Sequence, residues 1–189
     1  DKSFEILNNF NKHCNVDVFF ALSHGVHRGV LKSGKTDDRI SFLKDLMHKT
    51  PDVKFDLYGI DRVQPIWADH YFKTISNAKM GLNLSRGEAI KYYSSDRITQ
   101  IVGNGLVCLI DEKTRYRNFF NENEMVFYKN TNDLSEKILK ISSDDKLRKK
   151  IAKNGKIKYM KFFNSDLVSE YIIDKTLDIK SKNKYLWQK

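Results

Sequence analysis

The densest group of polar and charged side chains in this 189-residue sequence lies between Leu84 and Arg97. It holds Arg86, Glu88, Tyr92, Tyr93, Ser94, Ser95, Asp96 and Arg97. An apolar helical pattern begins directly afterwards, so Ser94 or Ser95 can cap a helix whose first N–H groups and dipole favour an anion. Capping explains one serine and an acidic first turn, but not the arginines, the tyrosines and Glu88. The loop therefore predicts a site for a phosphate-bearing ligand, to which the guanidinium groups can bond bidentately.

Two further loops carry candidate binding residues. The first, over residues 23–35, contains Gly25, Arg28 and several other glycines and cations that could approach phosphates. Its glycine spacing fits neither the Walker A motif nor the dinucleotide fingerprint, and a mobile surface loop is the alternative interpretation. The second holds Tyr58 and Gly59, where the tyrosine either stacks on a base or packs at a rim.

Other kinds of chemistry lack the residues they need. The five histidines show no metal-type spacing, and two cysteines cannot supply a disulfide framework or a four-ligand zinc site. There is no nucleophile-elbow motif. No apolar run approaches the roughly 20 residues that cross a bilayer. We expect neither a metal nor any other cofactor.

Short apolar runs alternate with helical patterns along the chain, which predicts an α/β fold: a Rossmann-like parallel sheet with helices on both faces. The predicted strands are 16–22, 53–57, 79–84, 106–110 and 125–128. The predicted helices are 1–13, 38–49, 65–77, 95–102, 131–142, 144–162 and 165–178. We expect an N-terminal helix and linker over 1–15, one domain over 16–179 and a frayed tail over 180–189. Ligands of such sheets bind outside the carboxyl ends of the strands, where all three loops fall.

The net charge of +10 is concentrated in the last quarter of the chain. Residues 144–189 contain 13 Lys or Arg and 6 Asp or Glu. Such an excess attracts nucleic acid, anionic membranes or phosphate ligands, and a solvated lysine-rich face is the plainer interpretation.

The stretch from Asp96 to Ile110 resembles the donor-site helix and following strand of group 1 glycosyltransferases of the GT-B fold, most closely the CgeB/YkvP-like subgroup. Ser95, Arg97, Gly105 and Asp111 match that pattern. Residues 77–85, 119–138 and 144–159 resemble further family segments in the same order, so the likeness covers about 16–173.

The resemblance implies the C-terminal, donor-binding half of an enzyme that transfers sugar from a nucleotide-diphosphate sugar without a metal. By position, Ser94, Ser95 and Arg97 would meet the diphosphate, together with Gly25 and Arg28. Tyr58 and Gly59 would lie near the base. An acceptor-binding N-terminal domain would be the missing partner, and the protein would be cytoplasmic, with peripheral contact to the inner membrane.

The family's paired glutamates are replaced here. Retaining members carry two glutamates eight positions apart, where this sequence has Tyr92 and Gln100; Gln100 could still bond ribose hydroxyls. Glu88 and Asp96 repeat the spacing four residues earlier and are the catalytic candidates. Two alternatives stay open: a binding domain that has lost the chemistry, and a basic nucleic-acid module, against which the absence of a known nucleic-acid motif argues.

Overall fold

The computed structural model describes residues 1–23, 38–93 and 95–188. The strands within these ranges are β1 Val16–Ala21, β2 Phe55–Tyr58, β3 Ala78–Asn83, β4 Val107–Asp111 and β5 Val126–Tyr128. The α-helices of the described ranges are α1 Asp38–Lys49, α2 Ala68–Ile75, α3 Asp96–Gly103, α4 Thr131–Ser143, α5 Asp145–Phe162 and α6 Ser165–Thr176. Short 3-10 helices span Asn9–Asn11, Glu112–Thr114 and Tyr116–Asn118.

All strand pairings in the sheet are parallel, and the strand order is β2-β1-β3-β4-β5. The α/β prediction is confirmed, and each predicted strand falls within two residues of its observed bounds. The strands are apolar on both sides because helices cover both faces. In β4, for example, Leu109 packs into one core cluster and Cys108 into the other.

The helices divide between these two clusters. One face of the sheet packs against α1 and α4, through residues such as Leu46 and Ile138. The other packs against α2 and α3, through residues such as Ile75 and Ile101. Helix α5 reaches both clusters, with Ile151 in the first and Tyr159 in the second.

A glycine in β3 sets the distance between the sheet and α3. A Cβ at Gly81 would collide with the side chain of Ile101 on three of its carbons. The helix therefore lies closer to the strand than an alanine would allow, which fixes the position of its N-terminus above the sheet edge.

The expected N-terminal helix over residues 1–13 is wrong. The segment forms turns and one 3-10 helix, and it contains asparagines at positions 8, 9 and 11, whose side chains compete for backbone groups. The buried Asn9 donates from Nδ2 to Ile75 O and Ala78 O, at 2.8 Å each. The segment is thereby attached to the end of α2 and the start of β3.

A buried arginine holds the same segment to α5. Arg148 is 0% exposed and donates to Asn9 O at 2.8 Å and to Lys12 O at 3.1 Å. Its Nη2 also lies 2.6 Å from Asp145 Oδ1, so the buried charge has a partner.

The predicted frayed tail instead packs back onto the domain. Tyr185 is 3% exposed, and its hydroxyl lies 3.3 Å from Asp174 Oδ2 of α6. Trp187 lies with its ring 5.6 Å from that of Phe163 and 5.8 Å from that of Tyr171. Aromatic contacts, which helical periodicity does not register, order this end of the chain.

Candidate functional site

A cavity of about 770 Å³ opens at the carboxyl ends of β1 and β3. Strand β1 has β2 on one side and β3 on the other, so the order in which strands are added to the sheet reverses direction here. Ligands of open parallel sheets usually bind at such a point. We call it the main cavity; its volume is within the range of small-molecule sites. Its lining comprises Ala21, Leu22, Ser23, Arg39, Ile66, Trp67, Ala68, Tyr71, Phe72, Ser85, Arg86, Glu88, Ile90, Tyr93, Ser95, Asp96, Arg97 and Gln100.

Arg97 lies at the centre of this edge and connects the two strand ends. Its Nε lies 3.4 Å from Ala21 O and its Nη1 lies 3.2 Å from Leu84 O. The guanidinium carbon is 5.1 Å from the ring centre of Phe20, a distance suited to a cation–π contact. These contacts hold the guanidinium group in one position on the cavity wall.

A second guanidinium group lines the same cavity. Arg39, in the first turn of α1, is 4% exposed. Burial lowers the pKa of Arg97, and the charge of Arg39 lowers it further. Arg97 nevertheless stays protonated, since arginine does not deprotonate in proteins. Both guanidinium groups line the same poorly solvated space, where the attraction between a cation and a bound anion is stronger than in water.

The N-terminus of α3 adds backbone donors to this region. Ser95 is the N-cap residue with an extended backbone, but its side chain makes no capping bond. Instead, Ser95 Oγ lies 3.2 Å from Asn83 Oδ1. The first N–H groups of a helix have no acceptor within the helix, so this end is suited to a negatively charged ligand.

Aromatic side chains line another part of the main cavity, which we call the aromatic wall. Trp67 precedes α2 and is 60% exposed, while Tyr71 and Phe72 lie on the helix itself. The ring of Tyr71 packs edge-on against Phe19 at 5.5 Å, and burial raises its pKa to about 12, so it is a neutral phenol at pH 7. This wall offers flat apolar surface, and the arginine wall offers charge.

Gln100 lies one turn after Arg97 and is oriented by a buried neighbour. Asn104 donates from Nδ2 to Gln100 O at 2.9 Å and to Gln100 Oε1 at 3.4 Å. Asn104 Oδ1 in turn accepts from Leu7 N at 3.2 Å. Asn104 thus contacts the side-chain oxygen of Gln100, a residue that itself lines the main cavity.

The structure brings together about half of the residues proposed from the sequence. Those on the lining of the main cavity are Arg86, Glu88, Ser95, Asp96, Arg97 and Gln100. Gly25, Arg28 and Ser94 lie outside the described residues. The polar loop after β3 and the helix that follows it therefore form one side of a common cavity.

Three proposed residues lie outside the main cavity. Tyr58 packs at the end of β2 beside Phe19 and His70, at ring distances of 6.3 Å. Gly59 has a φ of +73°, and a Cβ there would collide with Leu22 O, so glycine is needed for the turn. Tyr92 also has a positive φ, of 60°, and packs on Phe119 at 5.0 Å, while its hydroxyl accepts a hydrogen bond from Asn118.

A second cavity of about 450 Å³ lies beside the first and shares Arg39 and Ser85 with it. Asp38, Asp45 and Asp111 supply carboxylates to its lining. No group of side chains within the described residues could hold a metal ion. None of the described helices is long and apolar enough to cross a membrane.

Comparison with known proteins places this geometry in a family. The model of the glycosyl transferase-like family matches residues 39–174, well over half of the chain. A search of curated protein sequences found no match.

Solved structures share the fold at low identity. Sucrose-phosphate synthase from Thermosynechococcus elongatus is 14% identical with a TM-score of 0.63, over 89% of this chain and 47% of that one. Alr3699/HepE from Anabaena, in complex with UDP and glucose, is 10% identical with a TM-score of 0.63, over 88% and 49%. The C-terminal domain of a group 1 glycosyl transferase, LpcC from Francisella tularensis, is 12% identical with a TM-score of 0.52, over 82% and 89%. This chain spans about half the length of the first two proteins.

Proposed function

The chain belongs to the glycosyl transferase-like family, and we propose that it forms the C-terminal, donor-binding half of a group 1 GT-B glycosyltransferase. The reaction is transfer of a sugar from a nucleotide-diphosphate sugar to an acceptor. The observation that carries the proposal is the pair of guanidinium groups, Arg39 and Arg97, beside the N-terminus of α3 in one cavity.

The donor's charge and flat surface match the two walls of the main cavity. The diphosphate lies against Arg97, Arg39 and the first N–H groups of α3, where charge-assisted hydrogen bonds are strongest. The base lies against the aromatic wall, with the exposed ring of Trp67 as its stacking surface. Gln100 donates from Nε2 to the ribose. The two guanidinium groups supply the positive charge that a metal ion would otherwise provide, so no metal is needed.

Uridine is the first base to test. Alr3699/HepE was solved with UDP and glucose, and in other crystals with UDP-glucose and with UDP. We extend that donor class to this chain on the strength of the shared fold and the two-walled cavity.

Catalysis depends on groups placed beside the donor's diphosphate. Glu88 and Asp96 are the carboxylates of the β3–α3 region that line the main cavity, and they are the catalytic candidates of this chain. The remaining groups, and the acceptor site, come from an N-terminal domain that closes over this edge. The subgroup we propose is CgeB/YkvP-like, on its matches at Ser95, Arg97, Gly105 and Asp111.

The proposed location is the cytoplasm, with peripheral contact to the inner membrane. Cys14 and Cys108 are both buried free thiols, which suits a reducing compartment.

The test is calorimetric titration of the chain with UDP, GDP, ADP and CMP and their sugar derivatives. We expect one nucleotide diphosphate to bind in a saturable way. Arg97→Ala should weaken it by about 1.5–3 kcal/mol, the range for a hydrogen bond to a charged group. Arg97→Lys should recover part of the loss, because it keeps the charge but loses the planar fork.

Arg117→Gln is the matched control. Arg117 pairs with Glu122 at 2.9 Å and lines neither cavity, so its loss should leave the affinity unchanged. Because Arg97 also bonds two strand ends, each variant's thermal unfolding without ligand must be recorded. A folded Arg97→Ala protein with unchanged affinity would contradict the assignment of this site.

A second candidate function is donor binding without transfer. It is favoured by Gln100 and Tyr92 at the positions where retaining relatives carry glutamates, and by the packing of Tyr92 on Phe119 outside the main cavity. In the full-length protein, nucleotide binding without release of nucleotide from the sugar donor would support it.

A further inference from the structure

The lysines of helix α5 lie in two different environments. The three on its inner flanks have partners: Lys149 pairs with Asp145 at 2.7 Å, Lys158 pairs with Glu124 at 2.8 Å, and Lys156 donates to Leu7 O at 2.7 Å. The outer side of the helix is formed by Lys146, Lys150, Lys153, Ile157 and Lys161, all exposed. We call these five residues the lysine face.

The spacing of the lysine face makes it one continuous stripe. Its members follow one another by four, three, four and four residues, the intervals that keep side chains on one side of an α-helix. At 1.5 Å per residue the stripe is about 22 Å long. It runs from the start of α5, beside Arg148 and the N-terminal segment, toward Tyr159, whose hydroxyl lies 2.8 Å from that of Thr99 in α3.

A merely solvated helix surface usually mixes both signs of charge. The other long helices do this: Lys49 pairs with Asp45 in α1, and Lys137 pairs with Asp133 at 2.8 Å in α4. On the lysine face no carboxylate intervenes, and within the described parts of the chain none of its four lysines forms an ion pair. An extended anionic surface is the partner that complements four such charges in a row.

The apolar residue within the stripe distinguishes a membrane from a nucleic acid. Ile157 is 56% exposed, with Lys153 before it and Lys161 after it on the same side. A branched aliphatic side chain can enter the boundary between headgroups and acyl chains. Nucleic-acid sites instead use arginine forks and exposed aromatic rings for stacking, and this stripe has neither.

We propose that the lysine face is a docking surface for the anionic surface of a lipid bilayer. The four ammonium groups contact lipid phosphates, and Ile157 enters the interface between them. The helix then lies flat on the bilayer, and the strands, with the main cavity at their carboxyl ends, are held beside it. This proposal does not depend on the identity of the nucleotide that the main cavity binds.

The test is co-sedimentation of the full chain with vesicles of phosphatidylglycerol and phosphatidylcholine, and with vesicles of phosphatidylcholine alone. We expect binding only to the anionic vesicles. Each lysine of the face changed to glutamine should weaken binding by about fivefold, the usual contribution of a cation near an anionic membrane. Ile157→Ser should weaken binding to vesicles at any salt concentration.

The control is the double variant Lys54→Gln/Lys73→Gln. Both lysines are exposed and belong to the β2 and α2 side of the sheet. The change in net charge equals that of Lys150→Gln/Lys153→Gln, because each double variant removes two lysines. Equal loss of vesicle binding in the two double variants would overturn the proposal, because net charge alone would then explain the attraction. All of these changes are on the surface, and unfolding curves of the variants should superimpose on that of the parent.

A single-stranded RNA oligonucleotide provides the competing ligand. If the chain binds this RNA more tightly than the anionic vesicles, and Ile157→Ser has no effect on either, the surface is a nucleic-acid site and the membrane proposal is wrong. If Ile157→Ser weakens only vesicle binding, the membrane proposal is supported.

Discussion

At the scale of single residues, a change at Trp67 distinguishes the contribution of the aromatic wall to binding from that of the arginine wall. The ring of Trp67 is largely exposed, and it lines the same cavity as the guanidinium groups. Trp67→Leu should weaken binding of the nucleoside diphosphate by about 1–3 kcal/mol, the usual effect of removing a stacked aromatic ring. Binding of inorganic pyrophosphate should not change, because the arginine wall is intact. Calorimetry with both ligands measures the difference.

The other tryptophan provides the control. Trp187 packs against Phe163 and Tyr185, away from both cavities, so Trp187→Leu should leave both affinities unchanged. An equal loss of nucleotide and pyrophosphate affinity in Trp67→Leu would show that Trp67 supports the phosphate site rather than the base.

Individual residues also show which parts of the candidate site the sequence alone could predict. Arg97 could be located because it follows a helix start at a strand end, which is a local pattern. Tyr92 and Tyr93 could not be told apart, since a left-handed backbone at Tyr92 packs its ring on Phe119, whereas Tyr93 lines the main cavity. Arg39 and Trp67 were missed because each reaches the cavity through the arrangement of separate elements, which no local signal records.

At the scale of elements, the closeness of α3 to β3 decides where the donor site lies. Gly81→Ala should lower the free energy of unfolding by about 1–3 kcal/mol, because the added methyl overpacks the contact with Ile101. The helix must move outward to relieve the collision, and it carries Arg97 with it. Nucleotide affinity should therefore fall together with the urea midpoint.

A smaller side chain at position 101 would relieve that collision. The double variant Gly81→Ala/Ile101→Ala should lose less free energy of unfolding than the two single variants lose together. The added methyl then occupies part of the space that Ile101 leaves. Strict additivity of the two free energies would mean that β3 and α3 do not press on each other here.

Elements with a regular period were predictable, and those held by irregular contacts were not. The strands β1 and β4 are apolar on both faces, and α4 has a clear apolar stripe, so their patterns are local. The N-terminal segment was predicted as a helix from its apolar residues Phe4, Ile6, Leu7 and Phe10. Its actual course follows from Asn9 and Arg148, whose hydrogen-bond partners lie far away in the sequence.

At the scale of the whole molecule, alternation of strands and helices predicted the sheet and the edge at which ligands bind. It did not predict that residues 180–188 return to the domain. Helix α6 and its C-cap residue expose several apolar side chains, including Ile172, Ile173 and Leu177. Contacts that attach it to the chain's end include those of Tyr171 with Tyr185 and Trp187, of Asp174 with Tyr185, and of Glu170 with Asn183.

Removal of residues 180–189 should therefore loosen α6 without disturbing the main cavity. The truncation removes the hydroxyl that bonds Asp174 and both aromatic partners of Tyr171, and a short helix has little stability of its own. Amide hydrogen exchange should become faster across Ser165–Thr176 and stay the same in α3 and α4. Nucleotide affinity should be unchanged, because none of the described residues of α6 or of the range 180–188 lines the main cavity. An unaltered rate of exchange in α6 would mean that Phe163 and the end of α5 are sufficient to hold this helix. Faster exchange in α3 as well would show that the chain's end stabilises the donor site and not only the helix it covers.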